Sequence, residues 1–305
     1  MNALYLIFML IAFVLLPAEA NTCTTVQEPD ISALDHLAYE GDTTAFQTIV
    51  TRLKPLAEAG NIDARQHLSG HLIAWWSNGH GNENDLQEGI RWATLAAEQG
   101  NVAACRILGL TYSDLKKPKQ ALHWCSLAAE KGDSFAQYNL GLWYQYGSNN
   151  LPKDDVQAAK WYLKAALQGQ CNAQAAMASL YEKGLGVPKK LREEIKWRRL
   201  AAEQGISHAQ YMMGRYHEEG RGVPQNNAEA VKWYRAATKH ERLPEGDALI
   251  ALSTCYASGK GVPVDYRKAL ECINRIKTES DLCEYEKNRR DQIRPILELI
   301  EETSR

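Results

Sequence analysis

The sequence predicts an all-α protein, a right-handed α-solenoid of about six helix–turn–helix repeats with a cap at each end. Three recurring features predict this fold. A Trp recurs at steps of 32, 37, 36 and 36 residues, at Trp92, Trp124, Trp161, Trp197 and Trp233. An Ala-Ala-Glu-Gln-Gly-like block follows most of these Trp, as in 93–100 and 199–205. A Gly-x-Gly-Val-Pro block occurs three times, at 184–188, 220–224 and 259–263.

Each repeat is predicted to contain two helices, because apolar residues recur at spacings of three and four in two separate stretches. The first stretch is represented by Ala136, Leu140, Trp143, Tyr144 and Gly147, and the second by Ala158, Trp161, Tyr162, Ala165 and Ala166. Gly169 and its equivalents are predicted to end the second helices in a left-handed cap. The Trp series is interpreted as core that fills the space between helices, and not as a ladder for stacking sugars.

The predicted organisation is one continuous array, although 305 residues would ordinarily suggest two domains. Residues 21–60 are interpreted as a degenerate half-repeat that caps the N-terminal end. The repeats are predicted at 61–100, 101–132, 133–169, 170–205, 206–243 and 244–278, with Cys272 at the Trp position of the last. Residues 279–305 carry Ile293, Ile296, Leu297 and Ile300 at helical spacing and are predicted to form a C-terminal capping helix.

The N-terminus predicts export. Residues 3–16 are an unbroken apolar run, too short for an ordinary membrane span, and Ala18-Glu19-Ala20 follows as a small-x-small cleavage pattern. We therefore expect a signal peptide at 1–20 and a periplasmic product with no stable membrane span after cleavage. The run has no preceding Lys or Arg, so an uncleaved N-terminal anchor stays open as the alternative. Cys23 lacks the preceding pattern of a lipoprotein signal, and lipid attachment is not expected.

Composition and motifs argue against several functions. A net charge of -2 with a pI near 6.5 provides no general field for nucleic acid. His67 and His71 have a spacing that could bind zinc, but no HExxH motif or further ligand accompanies them. Nothing in the sequence matches a nucleophile elbow, a paired-carboxylate site or a cofactor fingerprint. We expect no catalytic residues, no metal and no cofactor.

The three blocks together resemble the Sel1-like repeat family, a relative of the tetratricopeptide repeats. The resemblance covers about residues 61–278 and is most faithful over 133–240; the first repeat lacks the Gly-Val-Pro block and the second has a shortened loop at 116–118. Members of this family act as adaptors that assemble protein complexes. Some exported bacterial members are immunity proteins that cap a secreted phospholipase toxin. The resemblance therefore implies a protein partner.

Seven Cys in an exported chain predict disulfides. Two pairs follow from the repeat geometry, since antiparallel helices of one repeat would bring Cys105 near Cys125 and Cys255 near Cys272. The resemblance supports this expectation, because related exported proteins use disulfides between the two helices of a repeat. Buried free cysteines stay open as the alternative for each pair.

The predicted binding surface lies on the first helices, which line the concave side of an α-solenoid. Residues off the apolar stripe of these helices are expected to face a partner. They are His67, Trp75, Trp76, Ile107, Leu110, Asn139, Leu142, Tyr146, Met212, Arg215 and Glu219. Aromatic side chains and Arg dominate the energies of protein interfaces. Of the adjacent Trp75 and Trp76, only one can face the core.

Two classes of function follow. The leading hypothesis is a non-enzymatic, exported protein-binding scaffold, most specifically a periplasmic immunity protein that inhibits a secreted toxin such as a phospholipase. The alternatives are a periplasmic adaptor, a virulence protein that binds a host factor, or a hydrolase of β-lactams or peptidoglycan fragments. The residues provide no pairing of nucleophile and base for the hydrolase.

Overall fold

The computed structural model describes residues 32–239 and 246–276. Over these ranges the chain is all-α, without a β-strand, and successive helices pack as pairs, which confirms the predicted fold class. The fourteen helices of the described ranges are α1 (Ser32–Tyr39), α2 (Thr43–Glu58), α3 (Ile62–Ser77), α4 (Glu83–Glu98), α5 (Val102–Asp114), α6 (Pro118–Glu130), α7 (Ser134–Tyr146), α8 (Asp155–Leu167), α9 (Cys171–Lys183), α10 (Leu191–Glu203), α11 (Ser207–Glu219), α12 (Asn227–Ala237), α13 (Gly246–Ser258) and α14 (Tyr266–Asn274). None of them combines the length and apolar character needed to cross a membrane.

Several predictions lie outside the described residues. These are the export segment at 1–20, the C-terminal capping helix at 279–305, and the positions Cys23 and Cys283. The described part of the predicted N-terminal half-repeat consists of α1 and α2.

The described residues divide into two compact units, with the boundary between Ala136 and Gln137. In the first unit, a cluster that includes Phe46, Leu53, Leu68, Trp75 and Trp92 forms the core between α2, α3 and α4. The rings of Phe46 and Trp75 are stacked, with their centroids 4.2 Å apart. This aromatic contact attaches the pair α1–α2 to the repeat that follows it.

A Gly and a polar residue make short turns between helices of the first unit. Gly60 ends α2 with φ +97°, a conformation that favours glycine. The next residue, Asn61, begins α3, because its side chain accepts a hydrogen bond of 2.8 Å from the backbone N–H of Ala64. Gly100 and Asn101 repeat this arrangement between α4 and α5. Two residues therefore end one helix and begin the next.

In the second unit, the residue after each repeat Trp packs against the partner helix. A Cβ added to Gly141 of α7 would lie 2.5 Å from the ring of Tyr162 on α8, and one added to Gly214 would lie 2.4 Å from the ring of Tyr234. Both tyrosines are completely buried. The absence of a side chain at these two glycines allows the helices of a pair to approach closely around the tyrosine ring.

The interpretation of the Trp series as core is correct for only part of the series. Trp92 and Trp197 are buried, whereas Trp124, Trp161 and Trp233 are half-buried. A helix can direct only part of its circumference at a partner helix, and the residue after each of these three Trp takes the innermost place. The Trp rings lie beside the core and partly in solvent.

The Gly-x-Gly-Val-Pro loop joins one repeat to the previous one. A Cβ added to Gly186, the second Gly of its block, would lie 2.0 Å from the backbone oxygen of Asp155 at the start of α8. Gly261 makes the equivalent approach to the backbone of Asn227, at 2.3 Å from its oxygen. These two loops therefore pack backbone against backbone on the second helix of the preceding repeat, whereas a Cβ at Gly222 of the remaining loop would meet the side chain of Ile195, 2.4 Å away.

The predicted disulfides are wrong in this structure: Cys105, Cys125, Cys255 and Cys272 are all free, buried thiols. Cys125 lies opposite Gly109, since a Cβ at Gly109 would be 2.9 Å from the Cβ of Cys125. Gly109 is one helical turn beyond Cys105, so the pairing of α5 and α6 does not align the two sulfurs. The Sγ of Cys125 instead donates a hydrogen bond of 3.5 Å to the carbonyl oxygen of Ala136.

The other predicted pair lies in the apolar cluster of the second unit. Burial among side chains such as Ile250 and Leu252 raises the pKa of Cys255 and of Cys272 to about 11. At neutral pH each sulfur is therefore less often a thiolate than the sulfur of an exposed cysteine, and this lowers its reactivity.

We expect these four buried thiols to react with a thiol reagent at pH 8 at least about a hundredfold more slowly in the native protein than in urea, because burial restricts access and suppresses the thiolate. Cys171, which is half-buried, should react first among the described cysteines. Time-resolved labelling with peptide mass mapping measures each rate. A mixed peptide containing Cys255 and Cys272 in a non-reduced digest would contradict the free-thiol assignment.

Candidate partner-binding surface

The first unit contains five of the predicted surface residues, and their accessibility differs. Trp75 and Ile107 are buried, and Trp75 is the Trp of the adjacent pair that faces the core. His67, Trp76 and Leu110 are half-buried. The accessible part of the prediction in this unit is therefore confined to these three side chains on α3 and α5.

The two histidines of α3 occupy different environments. His71 is buried, and its Nε2 lies 3.5 Å from Oδ1 of Asp35. Burial, with a smaller effect of His67, lowers the pKa of His71 to about 4. Nowhere in the described ranges do three His, Cys, Asp or Glu side chains form a group that could hold a metal ion.

The six predicted residues of the second unit also differ in accessibility. Asn139 and Met212 are buried, and Leu142 is half-buried within the cluster around Tyr162. Tyr146, Arg215 and Glu219 are accessible. Arg215 and Glu219 form an ion pair one turn apart on α11, in which Arg215 Nε lies 3.1 Å from Oε1 of Glu219. The Glu219 carboxylate raises the pKa of Arg215.

An exposed row runs across the first helices of the second unit, one residue per helix. Its members stand ten residues after the first buried Ala of each helix, and all four are exposed: Tyr146 on α7, Lys183 on α9, Glu219 on α11 and Ser258 on α13. Sequence reasoning found Tyr146 and Glu219 but missed Lys183 and Ser258. Aligning the repeats by this Ala would have placed both at the position of Tyr146 and Glu219, although not shown that the position is exposed.

Tyr146 is the aromatic member of the row, and 69% of its surface is accessible. It lies near two buried rings, Tyr138 and Tyr162, whose centroids are 5.6 Å apart. Burial, and then the nearby Tyr146, raises the pKa of Tyr138 to about 12. The hydroxyl of Tyr162 donates a hydrogen bond of 2.6 Å to Oε1 of Gln145. Tyr146 therefore projects from a helix end whose neighbouring side chains are packed.

A buried ionic cluster in the fourth repeat is a feature that sequence reasoning missed. Arg198 takes the place of Tyr162 and Tyr234, and its Nη2 lies 2.8 Å from Oε2 of Glu182 and 3.8 Å from Oε1 of Glu194. Glu194 is itself buried. The sequence contains a signal for this cluster, since the five other repeats have Ala or Gly at the position of Glu194: Gly89, Ala121, Ala158, Ala230 and Ala269.

Two further groups complete the cluster around Glu194. The hydroxyl of Tyr216 donates a hydrogen bond to Oε1 of Glu194, and Nη2 of Arg221 lies 3.4 Å from Oε2. Burial and this hydrogen bond raise the pKa of Tyr216. The cluster links α9 and α10 to α11, and we assign it a structural role because its members contact one another across the helices.

The pattern of the Sel1 repeat matches six segments of the chain, which together cover more than half of it. They are residues 72–101, 102–133, 134–170, 171–206, 207–240 and 246–275. The chain belongs to the Sel1 repeat family. Each matched segment consists of one helix pair, from α3–α4 through α13–α14, although α3 begins ahead of the first match. The Sel1 repeat is a protein-binding module, and no curated relative matches the chain.

Two solved structures resemble this Sel1 repeat protein. A Sel1 repeat protein from Oxalobacter formigenes is 32% identical, with a TM-score of 0.55, over 63% of this chain and 82% of that one. A protective antigen present in uropathogenic Escherichia coli strains, which displays an SLR fold, is 26% identical with a TM-score of 0.62. That match covers 89% of this chain and 61% of the antigen.

Proposed function

We propose that this Sel1 repeat protein is a non-enzymatic, exported scaffold that binds a partner protein on the first helices of its second unit. The observation that carries the proposal is the exposed row, in which Tyr146, Lys183, Glu219 and Ser258 present an aromatic ring, a cation, an anion and a hydroxyl. Side chains of four different chemistries on one rigid framework favour one specific partner. Tyr is also enriched among the residues that dominate interface energies.

More specifically, we propose that the scaffold is a periplasmic immunity protein and that its partner is a secreted phospholipase toxin. Its support is the resemblance to exported Sel1-like proteins with that role, together with the apolar run and small-x-small pattern at 3–20. Stoichiometric inhibition requires a stable binding surface and no chemistry from the inhibitor. A host-binding role is the second candidate, favoured by the likeness to the protective antigen of uropathogenic Escherichia coli.

The test places a photocrosslinking amino acid at Tyr146 and, in a matched control, at Val264, which is also exposed but lies outside the row. We expect irradiated cells to yield a crosslinked protein only with the probe at 146, and mass spectrometry identifies it. If the crosslinked protein is a phospholipase and the purified scaffold inhibits it at about one scaffold per enzyme, the result supports the immunity role. A host protein captured at 146 supports the second candidate instead.

A substitution in the exposed row measures how much that residue contributes to the affinity for the partner. We expect Tyr146→Ala to weaken binding of the identified partner by about tenfold to a hundredfold, as is usual for an aromatic anchor. Val264→Ala serves as the control and should leave the affinity unchanged. Isothermal titration calorimetry measures both. Equal affinities for Tyr146→Ala and the parent protein, or crosslinks confined to the second helices, would contradict binding at the row.

A further inference from the structure

The outer face of α8 carries an apolar stripe that nothing in the described structure covers. Val156, Leu163 and Leu167 lie within about 40° of one another around the helix, and 51%, 37% and 71% of their surfaces are accessible. The opposite face of α8 is packed into the core through Ala158, Tyr162 and other residues. The stripe is therefore separate from the packing that holds the helix in place.

The other repeats show that the fold does not require this stripe. At the position of Leu167 they carry charged residues, Glu98, Glu130, Glu203 and Lys239 in the four repeats where it is described. At the position of Leu163 they have only Thr, Ser, Arg or Asn. The third repeat alone has leucine at both positions, so these side chains add an apolar surface to a framework that is stable without it.

Cations surround the stripe. Lys160 and Lys164 are exposed on α8, and Arg192, Lys196 and Arg199 are exposed on the corresponding face of α10. The loop between α9 and α10 brings Lys189 and Lys190 close to the start of α8, because Gly186 packs against the backbone of Asp155. Acids also lie here: Glu203 is exposed on the same face, Glu193 lies 4.0 Å from Nζ of Lys196, and Asp154 and Asp155 begin α8 beside Val156.

We propose that this surface, the α8–α10 patch, docks on an anionic phospholipid bilayer. Exposed leucines can enter the boundary between headgroups and acyl chains, while nearby Lys and Arg attract the anionic headgroups. Trp161 is half-buried beside the stripe, and Nζ of Lys164 lies 3.9 Å from the centroid of its ring. An indole with one wet edge suits the interfacial region of a membrane. The docking is peripheral and requires no helix to span the bilayer.

The composition of the α8–α10 patch favours a membrane over an acidic protein helix. Of the seven cations named, five are Lys and two are Arg. Lys is depleted in protein–protein interfaces, whereas its long stem suits a surface that lies on lipid headgroups. The patch also lies on the second helices, apart from the exposed row on the first helices. The inference is therefore independent of the proposed function, and the two can fail separately.

The experiment is vesicle co-sedimentation. It uses the protein as purified from the cells that produce it, with its N-terminus in the form those cells leave. The probes are vesicles of phosphatidylglycerol and phosphatidylethanolamine, compared with vesicles of phosphatidylcholine alone. We expect binding to the anionic vesicles, and a loss of about tenfold in partitioning for Leu163→Ser/Leu167→Ser and for Lys160→Gln/Lys196→Gln. Val264→Ser and Lys119→Gln change exposed residues outside the patch and serve as matched controls with unchanged partitioning.

A local readout excludes binding through the apolar N-terminal run. Acetylation of lysines on vesicle-bound protein should be slowed at Lys160 and Lys196 and unchanged at Lys119. The proposal is overturned if anionic vesicles do not bind the protein, if phosphatidylcholine vesicles bind it equally well, or if the patch variants partition like their controls. It is also overturned if the patch variants lose an acidic protein partner while vesicles leave both lysines unprotected.

Discussion

Replacing Gly186 with Ala should lower the free energy of unfolding of the second unit by about 3 kcal/mol, the sum of two penalties. The first is the left-handed backbone, since Gly186 has φ +66°. The second is steric, because the new Cβ would lie 2.0 Å from the backbone oxygen of Asp155 and 2.4 Å from its carbonyl carbon. A backbone group in a helix cannot move aside as a flexible side chain can. Urea denaturation followed by circular dichroism measures the change.

Gly169→Ala separates the two penalties. Gly169 also has a left-handed backbone, with φ +88°, but a Cβ there would meet nothing within 4 Å. We expect this control to lose only the conformational part, about 1–2 kcal/mol. If Gly186→Ala and Gly169→Ala were equally destabilising, the close contact between the loop and α8 would not exist in solution. Faster amide hydrogen exchange in α8 for Gly186→Ala alone would place the damage at that contact.

Removing Arg198 should destabilise the protein by about 3–5 kcal/mol, because its loss leaves the buried carboxylate of Glu194 with less compensation. In Arg198→Ala, Glu194 retains Tyr216 and the partly exposed Arg221. Glu182 loses its contact of 2.8 Å with the guanidinium group. Urea denaturation of the variant and the parent protein at pH 7 measures the difference.

The neighbouring repeats provide a rescue variant. Ala178→Gly/Glu194→Ala/Arg198→Tyr gives the fourth repeat the Gly, Ala and Tyr that the third has at Gly141, Ala158 and Tyr162. Replacing a buried ion pair with well-packed residues is often neutral or stabilising, so we expect stability within about 1 kcal/mol of the parent protein. A triple variant as unstable as Arg198→Ala would show that the cluster stabilises the fold in a way that the Gly–Tyr contact does not replace.

The repeat period was predictable because it depends on local chemistry. Gly in a left-handed turn, Asx at a helix start and Ala on a packed face each act within a few residues of the chain. The places of Trp75 and Trp76 illustrate the limit. Their adjacency predicts that one faces the core, but only the stack of Trp75 on Phe46 shows which one.

The candidate surface was harder to predict, because exposure depends on how neighbouring helices pack. Asn139 and Met212 are off the apolar stripe of their helices, yet both are buried. Tyr146 and Glu219, at the C-terminal ends of their helices, are exposed. Lys183 and Ser258 occupy the same position in their own repeats and were overlooked, because only the pairing of the helices shows that this position is accessible throughout the second unit.

The sequence by itself determined the all-α class, the helix pairs and membership of the Sel1 repeat family, since repeated local signals specify them. Only the tertiary structure decided which residue takes the innermost place in each pair and how the cysteines lie. The reason is the register between antiparallel helices: it sets Cys125 against Gly109 and Tyr162 against Gly141. Register results from the packing of two whole surfaces, and no short stretch of sequence contains both.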